Sequence, residues 1–367
     1  MPRPAEAPQE TAPSLLGMDR QALQALLQEL GQPTYHARQI LAWVHRRGVL
    51  DVTAMTDLSK TVRALLARYV AQPLPMVLRQ QVSACGTRKY LLGLQDGGAV
   101  ECVFIPQISR GTVCVSSQLG CPVACPFCAT GTQGVRRQLT THEIMAQIVL
   151  VRAALGAAAV SHVVFMGMGE PLLNLKAVLP ALRLLTDQAA YGLSKRRVTI
   201  STSGVVPAMD QLASAVDVAL AVSLHAPDDA LRDVLVPMNR HYPLEMLLAA
   251  CRRYLAGKDH KSHITFEYCL LAGVNDSPAQ AKAVARLLSG LRAKINLIPF
   301  NPFPGAPFQR PSDAAIDAFG AILHGKGLRV TTRRERGDEI AAACGQLVGT
   351  VPPRARRHKQ PHAASAV

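Results

Sequence analysis

Aromatic side chains are scarce in this chain: Phe, Trp and Tyr make up 4% of its 367 residues. Proteins that bind single-stranded nucleic acid without sequence preference stack successive bases on aromatic rings, so the scarcity argues against a surface of that kind. Acidic residues are also few, with 25 Asp and Glu against 40 Lys and Arg and a formal net charge of +15. Such an excess of positive charge is typical of polyanion binders. We therefore expect a nucleic-acid partner that is contacted through its phosphates and its shape.

The sequence has no long uninterrupted apolar run. Its most apolar stretch, 148–168, is broken by Arg152, Ser161 and His162, which argues against a membrane-spanning helix. The first 14 residues are rich in Pro and Ala and contain no apolar core of a secretory signal. We therefore expect a cytoplasmic protein with no membrane partner. Disulfides are rare in that compartment, so the nine cysteines are expected to serve metal binding, catalysis or burial.

Three of the cysteines stand close together in the run GCPVACPFC, at Cys121, Cys125 and Cys128. Closed zinc sites are usually built from paired C-x2–4-C units, and no second pair occurs in this chain. Three thiolates are one fewer than an ordinary four-thiolate iron–sulfur cluster uses, which leaves one iron open to bind and cleave a ligand. The spacing therefore favours an open, reactive cluster over a zinc site completed by a distant His.

Hydrophobic spacing and composition divide the chain into regions. Leucines recur at helical intervals from Leu23 to Leu30, and two further short helices are predicted around 37–47 and 59–69. This module is small, basic and helical, which suits RNA docking. The two ends of the chain have no periodic pattern of hydrophobic residues. The predicted regions are a disordered leader (1–17), an N-terminal helical RNA-docking domain (18–75), a β-hairpin linker region (76–110), a main domain (111–350) and a disordered basic tail (351–367).

The central part of the chain has the pattern of an α/β domain. A β-hairpin is predicted from KYLLGLQ and AVECVFIP around the turn 96–98, followed by the strand GTVCVSS. Helical segments then alternate with strands, and the first helix begins with the capping box Thr140–Glu143. This alternation predicts a parallel sheet, either doubly wound or curled into an incomplete barrel. The further predicted strands are 161–166, 197–201, 216–225, 263–270, 294–300 and 328–332.

Short motifs follow several of these strands. In parallel α/β folds, active sites gather at the carboxyl ends of the strands, and the cysteine loop also follows a strand, GTVCVSS. Taken singly, each motif is a weak signal, because G-x-G runs and strand-end His residues are more often structural. Together with the cysteine loop they predict one binding site. The candidate residues at these strand ends are Gly169, Glu170, Ser201, Ser223, Leu224, His225 and Asn301.

The order of the motifs resembles that of a known superfamily. CxxxCxxC with Phe127 before the last Cys, then GEP, STS, SLH and NPFP, is similar to the radical S-adenosylmethionine enzymes. The runs CVSSQLGC and AACGQL resemble, more narrowly, the dual-specificity ribosomal RNA/transfer RNA adenine C2-methyltransferases, over about residues 18–350. The resemblance implies an incomplete parallel (β/α)6 barrel with a small N-terminal helical domain and a β-hairpin extension.

The same resemblance implies the cofactors. A [4Fe-4S] cluster on the three cysteines would bind the amino and carboxylate groups of S-adenosylmethionine and break its sulfonium bond to give a radical. Two molecules of S-adenosylmethionine would be consumed per turnover. A radical is needed because C2 of adenine is electron-poor. By motif, Gly169 and Glu170 would contact the amino group of S-adenosylmethionine. Its ribose, carboxylate and adenosine portions would meet Ser201, Ser223, Leu224, His225 and Asn301.

The resemblance also assigns three catalytic residues. Cys344 would accept a methyl group, and the carbon would then be added to C2 of the adenine, which tethers the RNA to Cys344. Cys114 would help to release the product by forming a transient disulfide with Cys344, and Glu101 matches the family's proton-accepting carboxylate. From the residues alone, Cys114 is an ordinary strand cysteine and Cys344 a small buried hydrophobe.

The implied partners are 23S ribosomal RNA, transfer RNA and an electron donor such as flavodoxin, and the chain is expected to be a monomer. One alternative keeps every motif but methylates C8 of the same ribosomal adenosine, as antibiotic-resistance relatives do. A second alternative is a non-catalytic RNA-binding protein with a structural metal site.

Overall fold

A helical module opens the part of the chain that the computed structural model describes, which comprises residues 14–69, 73–333 and 337–349. Its helices are α1 (Arg20–Glu29), α2 (His36–Leu41) and α3 (Lys60–Leu66), and one π-helical turn continues α2. The predicted leucine stripe is confirmed, because Leu23 and Leu27 are fully buried. Ion pairs from Arg20 to Asp187 and from Arg183 to Asp19 attach α1 to the main domain.

Twelve strands follow the helical module. They are β1 (Met76–Val82), β2 (Arg88–Gly93), β3 (Ala99–Gln107), β4 (Arg110–Cys114), β5 (Gln118–Gly120), β6 (Val135–Gln138), β7 (His162–Phe165), β8 (Val198–Thr202), β9 (Ala219–Ser223), β10 (Ile264–Leu270), β11 (Ala293–Pro299) and β12 (Arg329–Thr332). Ten form one sheet in the order β1-β2-β3-β4-β7-β8-β9-β10-β11-β12, while β5 and β6 form a separate hairpin. The neighbours from β1 to β4 are antiparallel, and those from β4 to β12 are parallel.

Helices connect the parallel strands, as the alternating pattern predicts. They are α4 (Thr141–Leu155), α5 (Leu175–Thr186), α6 (Val206–Ala215), α7 (Asp229–Leu235), α8 (Leu244–Ala256), α9 (Pro278–Leu287) and α10 (Asp313–Gly325). The capping box at the start of α4 is confirmed, because Thr140 and Glu143 each cap the other's backbone N–H. The strands are therefore joined by helical crossovers that leave their carboxyl ends together at one edge of the sheet.

The parallel part of the sheet curls into an incomplete barrel. Arg333, directly after β12, donates a hydrogen bond to the sulfur of Met166, directly after β7. Strands β7 and β12 are separated by four others in the sheet, so this contact requires that the sheet bend back on itself. Among the described residues β12 pairs only with β11, and the barrel is therefore left open, as expected.

Some predicted boundaries differ from the structure. The predicted strand 216–225 is shorter, Ala219–Ser223, and β1 and the β5–β6 hairpin were missed. Residues 15–17, which the sequence assigns to a disordered leader, form a 3-10 turn in which Leu15 and Leu16 are buried, so that boundary is placed too late. The rest of the predicted leader, 1–13, and the basic tail 351–367 lie outside the described residues. No helix in the described ranges is both long and apolar enough to cross a membrane.

Candidate active site

An open pocket with a cavity volume of about 180 Å³ lies at the carboxyl ends of the parallel strands. One wall is the cysteine loop, and the others come from residues at the ends of β7 to β12. Nine of the predicted site residues line this pocket, namely Cys121, Cys125, Cys128, Gly169, Glu170, Ser201, Ser223, His225 and Cys344.

The cysteine loop is a tight, partly strained turn. Ala124 has a φ of 58°, in the left-handed region that side chains rarely adopt. Burial raises the pKa of the Cys121 thiol to about 12 and also raises that of Cys128. For Cys125, burial and then the neighbouring Cys128 and Cys121 sulfurs raise the pKa further. Three buried thiols that disfavour negative charge this strongly need a cationic group to become thiolates.

The three thiols fit an iron–sulfur cluster better than a single metal ion. Within the described ranges, no three His, Cys, Asp or Glu side chains converge on a point where one ion could be bound. Zinc needs such convergence, whereas in a cluster each thiolate binds its own iron and the cluster fills the space between the sulfurs. Cys121, Cys125 and Cys128 would therefore hold a cluster at the pocket that the three residues line.

The GEP motif is held by hydrogen bonds from backbone N–H groups to the side chain of Glu170. Glu170 is buried, and its carboxylate oxygens accept from the N–H groups of Leu172 (3.0 Å) and Ser203 (2.7 Å). Burial raises its pKa. Gly169 has a φ of 101°, and a Cβ there would lie 2.5 Å from the Cβ of Gln118, so the position requires glycine because of protein packing. Ser203, in the next motif, lines the pocket with a buried hydroxyl that has no partner among the described residues.

His225 is a neutral imidazole that faces the pocket. Burial, followed by repulsion from Arg232, lowers its pKa to about 3. Its Nδ1 accepts a hydrogen bond of 2.9 Å from the backbone N–H of Cys269, so the proton is on Nε2. The ring packs edge-on against Phe127 of the cysteine loop, with 4.7 Å between centroids. His225 thus supports the cysteine loop and leaves one N–H donor for a ligand.

Two predicted S-adenosylmethionine contacts do not line the pocket. Leu224 is fully buried, and its backbone N–H donates to the carbonyl of Glu267. Asn301 is also buried, and its side-chain amide donates to the backbone oxygen of Cys344 at 3.1 Å. In this structure Asn301 therefore positions the segment that carries Cys344.

Cys344 lines the same pocket, and the residue after it contacts the cysteine loop: the N–H of Ala129 donates to the carbonyl oxygen of Gly345 at 2.7 Å. The sulfur of Cys344 accepts a hydrogen bond of 2.7 Å from Nη1 of Arg333, a residue that sequence reasoning missed. The nearby Cys344 is the largest of the causes that raise the pKa of Arg333. Glu267, 3.5 Å from the same guanidinium, holds it from the other side, and Glu267 accepts from Asn296. A guanidinium oriented in this way stabilises a thiolate and is suited to preparing Cys344 as a nucleophile.

Cys114 lies behind Cys344, at the end of β4. It is 9% exposed, and burial followed by the charge of Cys344 raises its pKa to about 12. The two cysteines are thus electrostatic neighbours although 229 positions separate them in the sequence. No disulfide joins them, since all nine cysteines are free.

Glu101 does not line the pocket but touches the segment that carries Cys344. One carboxylate oxygen accepts from the N–H of Val348 at 2.8 Å and from that of Gly349 at 3.4 Å. The other lies 3.2 Å from the ammonium of Lys89. One feature of the sequence could have indicated Lys89, because a lysine within an apolar strand is unusual; sequence reasoning missed it.

A third missed residue, Arg232, connects the ends of β8 and β9. It is fully buried, and its guanidinium donates to the carbonyl oxygens of Ser203 (2.7 Å), Ser223 (2.8 Å) and Leu224 (3.1 Å). These carbonyls belong to the STS and SLH motifs. Their relative placement therefore depends on one buried cation, which a pattern of short motifs does not reveal.

Comparisons with known proteins agree with this geometry. Residues 115–282 match the model of the radical SAM superfamily, and residues 14–71 match that of the ribosomal RNA large subunit methyltransferase N-terminal domain. The dual-specificity RNA methyltransferase RlmN of Alkalilimnicola ehrlichii is 54% identical over 349 residues, which are 95% of this chain and 97% of the relative.

A solved structure shows the same fold. The crystal structure of a radical SAM methyltransferase from Sphaerobacter thermophilus superimposes with a TM-score of 0.84 at 45% identity, and covers 92% of this chain and 100% of its own. The fold and the enzyme class predicted from the motifs are thereby confirmed. The chain belongs to the RlmN family of radical SAM RNA methyltransferases.

Proposed function

We propose that this enzyme methylates C2 of an adenosine in 23S ribosomal RNA and of the adenosine next to the anticodon in transfer RNAs. The observation that carries the proposal is that Cys344, paired with Arg333, lines the same pocket as the three cysteines of the loop. An electron-poor ring carbon cannot attack a methyl donor, so the protein needs both a methyl-bearing residue and a radical source within one cavity. The dual specificity in the name of the 54% identical relative supports the two RNA substrates.

Each residue of the pocket has a role in this proposal. Cys121, Cys125 and Cys128 hold the [4Fe-4S] cluster, which when bound supplies the electron for cleavage of S-adenosylmethionine. The S-adenosylmethionine is surrounded by Glu170, Ser201, Ser223 and His225. Gly169 allows the tight turn before Glu170. Leu224 and Asn301 support the site without lining the pocket.

The methyl carbon follows a path through the protein's own residues. Cys344, whose sulfur accepts a hydrogen bond from Arg333, takes the methyl group. After a hydrogen atom is removed from that methyl group, its carbon bonds to C2 of the adenine, and the adduct gives up one electron, which the cluster would take back. Cys114 helps to remove the C2 proton, and Glu101 accepts it. The Cys114 sulfur then bonds to the Cys344 sulfur while the bond from Cys344 to the carbon breaks; the electron pair of that bond stays with the carbon, which takes up a proton to complete the methyl group. The closeness by which Cys344 raises the pKa of Cys114 supports this transient disulfide. Two molecules of S-adenosylmethionine serve one turnover, one for the methyl group and one for the radical.

The RNA must present its adenine outside a helix. A base whose ring carbon reacts has to be unstacked and drawn into the pocket, which is easier in a loop than in a duplex. The net charge of +15 would hold the surrounding phosphates, with the helical module 18–75 as the docking domain. We further propose a monomer that works in the cytoplasm with flavodoxin or a similar electron donor.

Two variants test the covalent route. Cys344→Ala should still cleave S-adenosylmethionine under reduction but transfer no methyl group to RNA. Cys114→Ala should accumulate RNA that is covalently attached to Cys344, detected as a protein–RNA adduct by mass spectrometry. Normal turnover of Cys114→Ala without an adduct would show that the release step is assigned to the wrong residue.

A further inference from the structure

Strand β2 contributes a buried lysine beside the active site. Lys89 pairs with Val103 across the antiparallel β2–β3 ladder, and Leu91 pairs with Glu101. Lys89 and Glu101 are therefore diagonal neighbours on one face of the sheet, within reach of each other's side chains. Both are buried, with exposed fractions of 7% and 5%. A lysine is almost never buried this far unless it is paired with an opposite charge, which Glu101 supplies here.

The two side chains connect the sheet to the segment that carries Cys344. The Lys89 ammonium lies 3.2 Å from Oε1 of Glu101 and donates to the backbone oxygen of Ala341 at 3.1 Å. Oε2 of Glu101 accepts from the N–H of Val348. The contacts at Ala341 and Val348 lie on the two sides of Cys344 in the sequence, so this pair holds the segment at both ends.

The charge of the Lys89 ammonium acts strongly on Glu101 because both side chains are buried. A buried carboxylate without a cation takes up a proton, and a carboxyl group that already holds a proton cannot accept another. The ammonium is the cation that the described residues place against Glu101; the other titratable neighbour is the buried thiol of Cys102, on the same strand. The sulfur of Met168 accepts from the Glu101 backbone and carries no charge.

We propose that Lys89 is a positioning residue for RNA methylation: its ammonium holds the side chain of Glu101 and fixes it relative to Cys344. The inference rests on the proposed function, in which Glu101 accepts the C2 proton. When Glu101 takes that proton it becomes a neutral carboxylic acid. The proton then leaves to water when the product is released.

The test compares Lys89→Met, Lys89→Arg and the control Lys176→Met, which removes an exposed lysine. Methylation of Cys344 is measured by mass spectrometry of each reconstituted protein, and kcat and KM are measured for an RNA stem-loop. We expect Lys89→Met to retain the methyl group on Cys344 and its KM. Its kcat should fall at least about tenfold, because the carboxylate that accepts the proton is no longer held in place. Lys89→Arg and Lys176→Met should keep most of the activity.

Two results would overturn the role of Lys89. One is an unchanged kcat for Lys89→Met, and the other is a loss of the methyl group on Cys344 in that variant, which indicates damaged packing. A double variant guards against misfolding: in a Glu101→Gln background, Lys89→Met should cause no further loss of kcat, and an additional loss rejects the proposal. If the parent enzyme itself never carries a methyl group on Cys344, the proposed function fails instead.

Discussion

At the scale of single residues, the site depends on how Cys344 is held. Its carbonyl oxygen accepts from Asn301, and its sulfur accepts from Arg333. The AACGQL motif indicated Cys344 by resemblance, but its physical environment could not be predicted, because Arg333 is eleven positions away in the sequence and Glu267 comes from another strand. Resemblance therefore indicated Cys344 as the candidate nucleophile, and the structure places the guanidinium of Arg333 on its sulfur.

Replacing Arg333 should make Cys344 less reactive. In Arg333→Met the sulfur loses a charge-assisted hydrogen bond, so the thiolate is less favoured and alkylation of Cys344 by iodoacetamide should slow by about tenfold, or ~1.4 kcal/mol. Peptide mapping of protein whose Cys344 carries a free thiol gives the rate at that residue. Arg329→Met, an exposed position on the same strand, is the control. Equal rates in parent and Arg333→Met would contradict the role of this guanidinium.

At the scale of elements, the strands and helices of the main domain followed from alternation and spacing. β7, β10 and β11 lie within about two residues of their predicted ends, because buried parallel strands are continuous apolar runs. β1 was missed since it is an edge strand whose residues are mostly exposed, and so it lacks that run. The way the strand ends converge was also not predictable, since Arg232 joins three carbonyl groups from two motifs.

The packing of the N-terminal helices against the main domain should become less stable at acidic pH. His45, in the turn after α2, is fully buried beside Tyr191, and burial followed by repulsion from Arg152 lowers its pKa to about 3. The unfolded chain protonates this His below pH 6.5 and the folded chain does not, so stability is lost as the pH falls from about 6.5 toward 3.

His45→Leu should remove that contribution. Between pH 5.5 and pH 4.5, the free energy of unfolding of the variant should fall less steeply than that of the parent, by about 1.4 kcal/mol per pH unit. Urea unfolding at three pH values measures the slope, and His324→Leu, at an exposed position, serves as the control. A variant with the parental slope would show that His45 does not stay neutral in the folded protein.

At the scale of the whole molecule, charge and fold act together. In the proposed function, a chain with a net charge of +15 and 4% aromatic residues holds RNA by its phosphates while a single base enters the pocket of the barrel. Composition was sufficient to predict the kind of partner. It could not predict which atom of the base reacts, because that depends on side chains brought together from β4, β12 and the segment after β12.

RNA binding should therefore weaken steeply with salt. If three or more phosphates are neutralised, the Kd for a transfer RNA should rise at least about tenfold between 50 and 200 mM monovalent salt, since each contact releases counterions. Filter binding or fluorescence anisotropy gives the slope of log Kd against log salt. A Kd that is insensitive to salt would indicate that base contacts, and not phosphates, dominate the affinity.

The central claim is that the carbon carried by Cys344 is added to C2 of adenine. The most direct measurement uses synthetic RNA stem-loops in which the target adenosine carries deuterium at C2 or at C8, with mass spectrometry of the methylated nucleoside. The account predicts loss of the C2 deuterium and full retention of the C8 deuterium. Loss of the C8 deuterium with the C2 deuterium retained would contradict it.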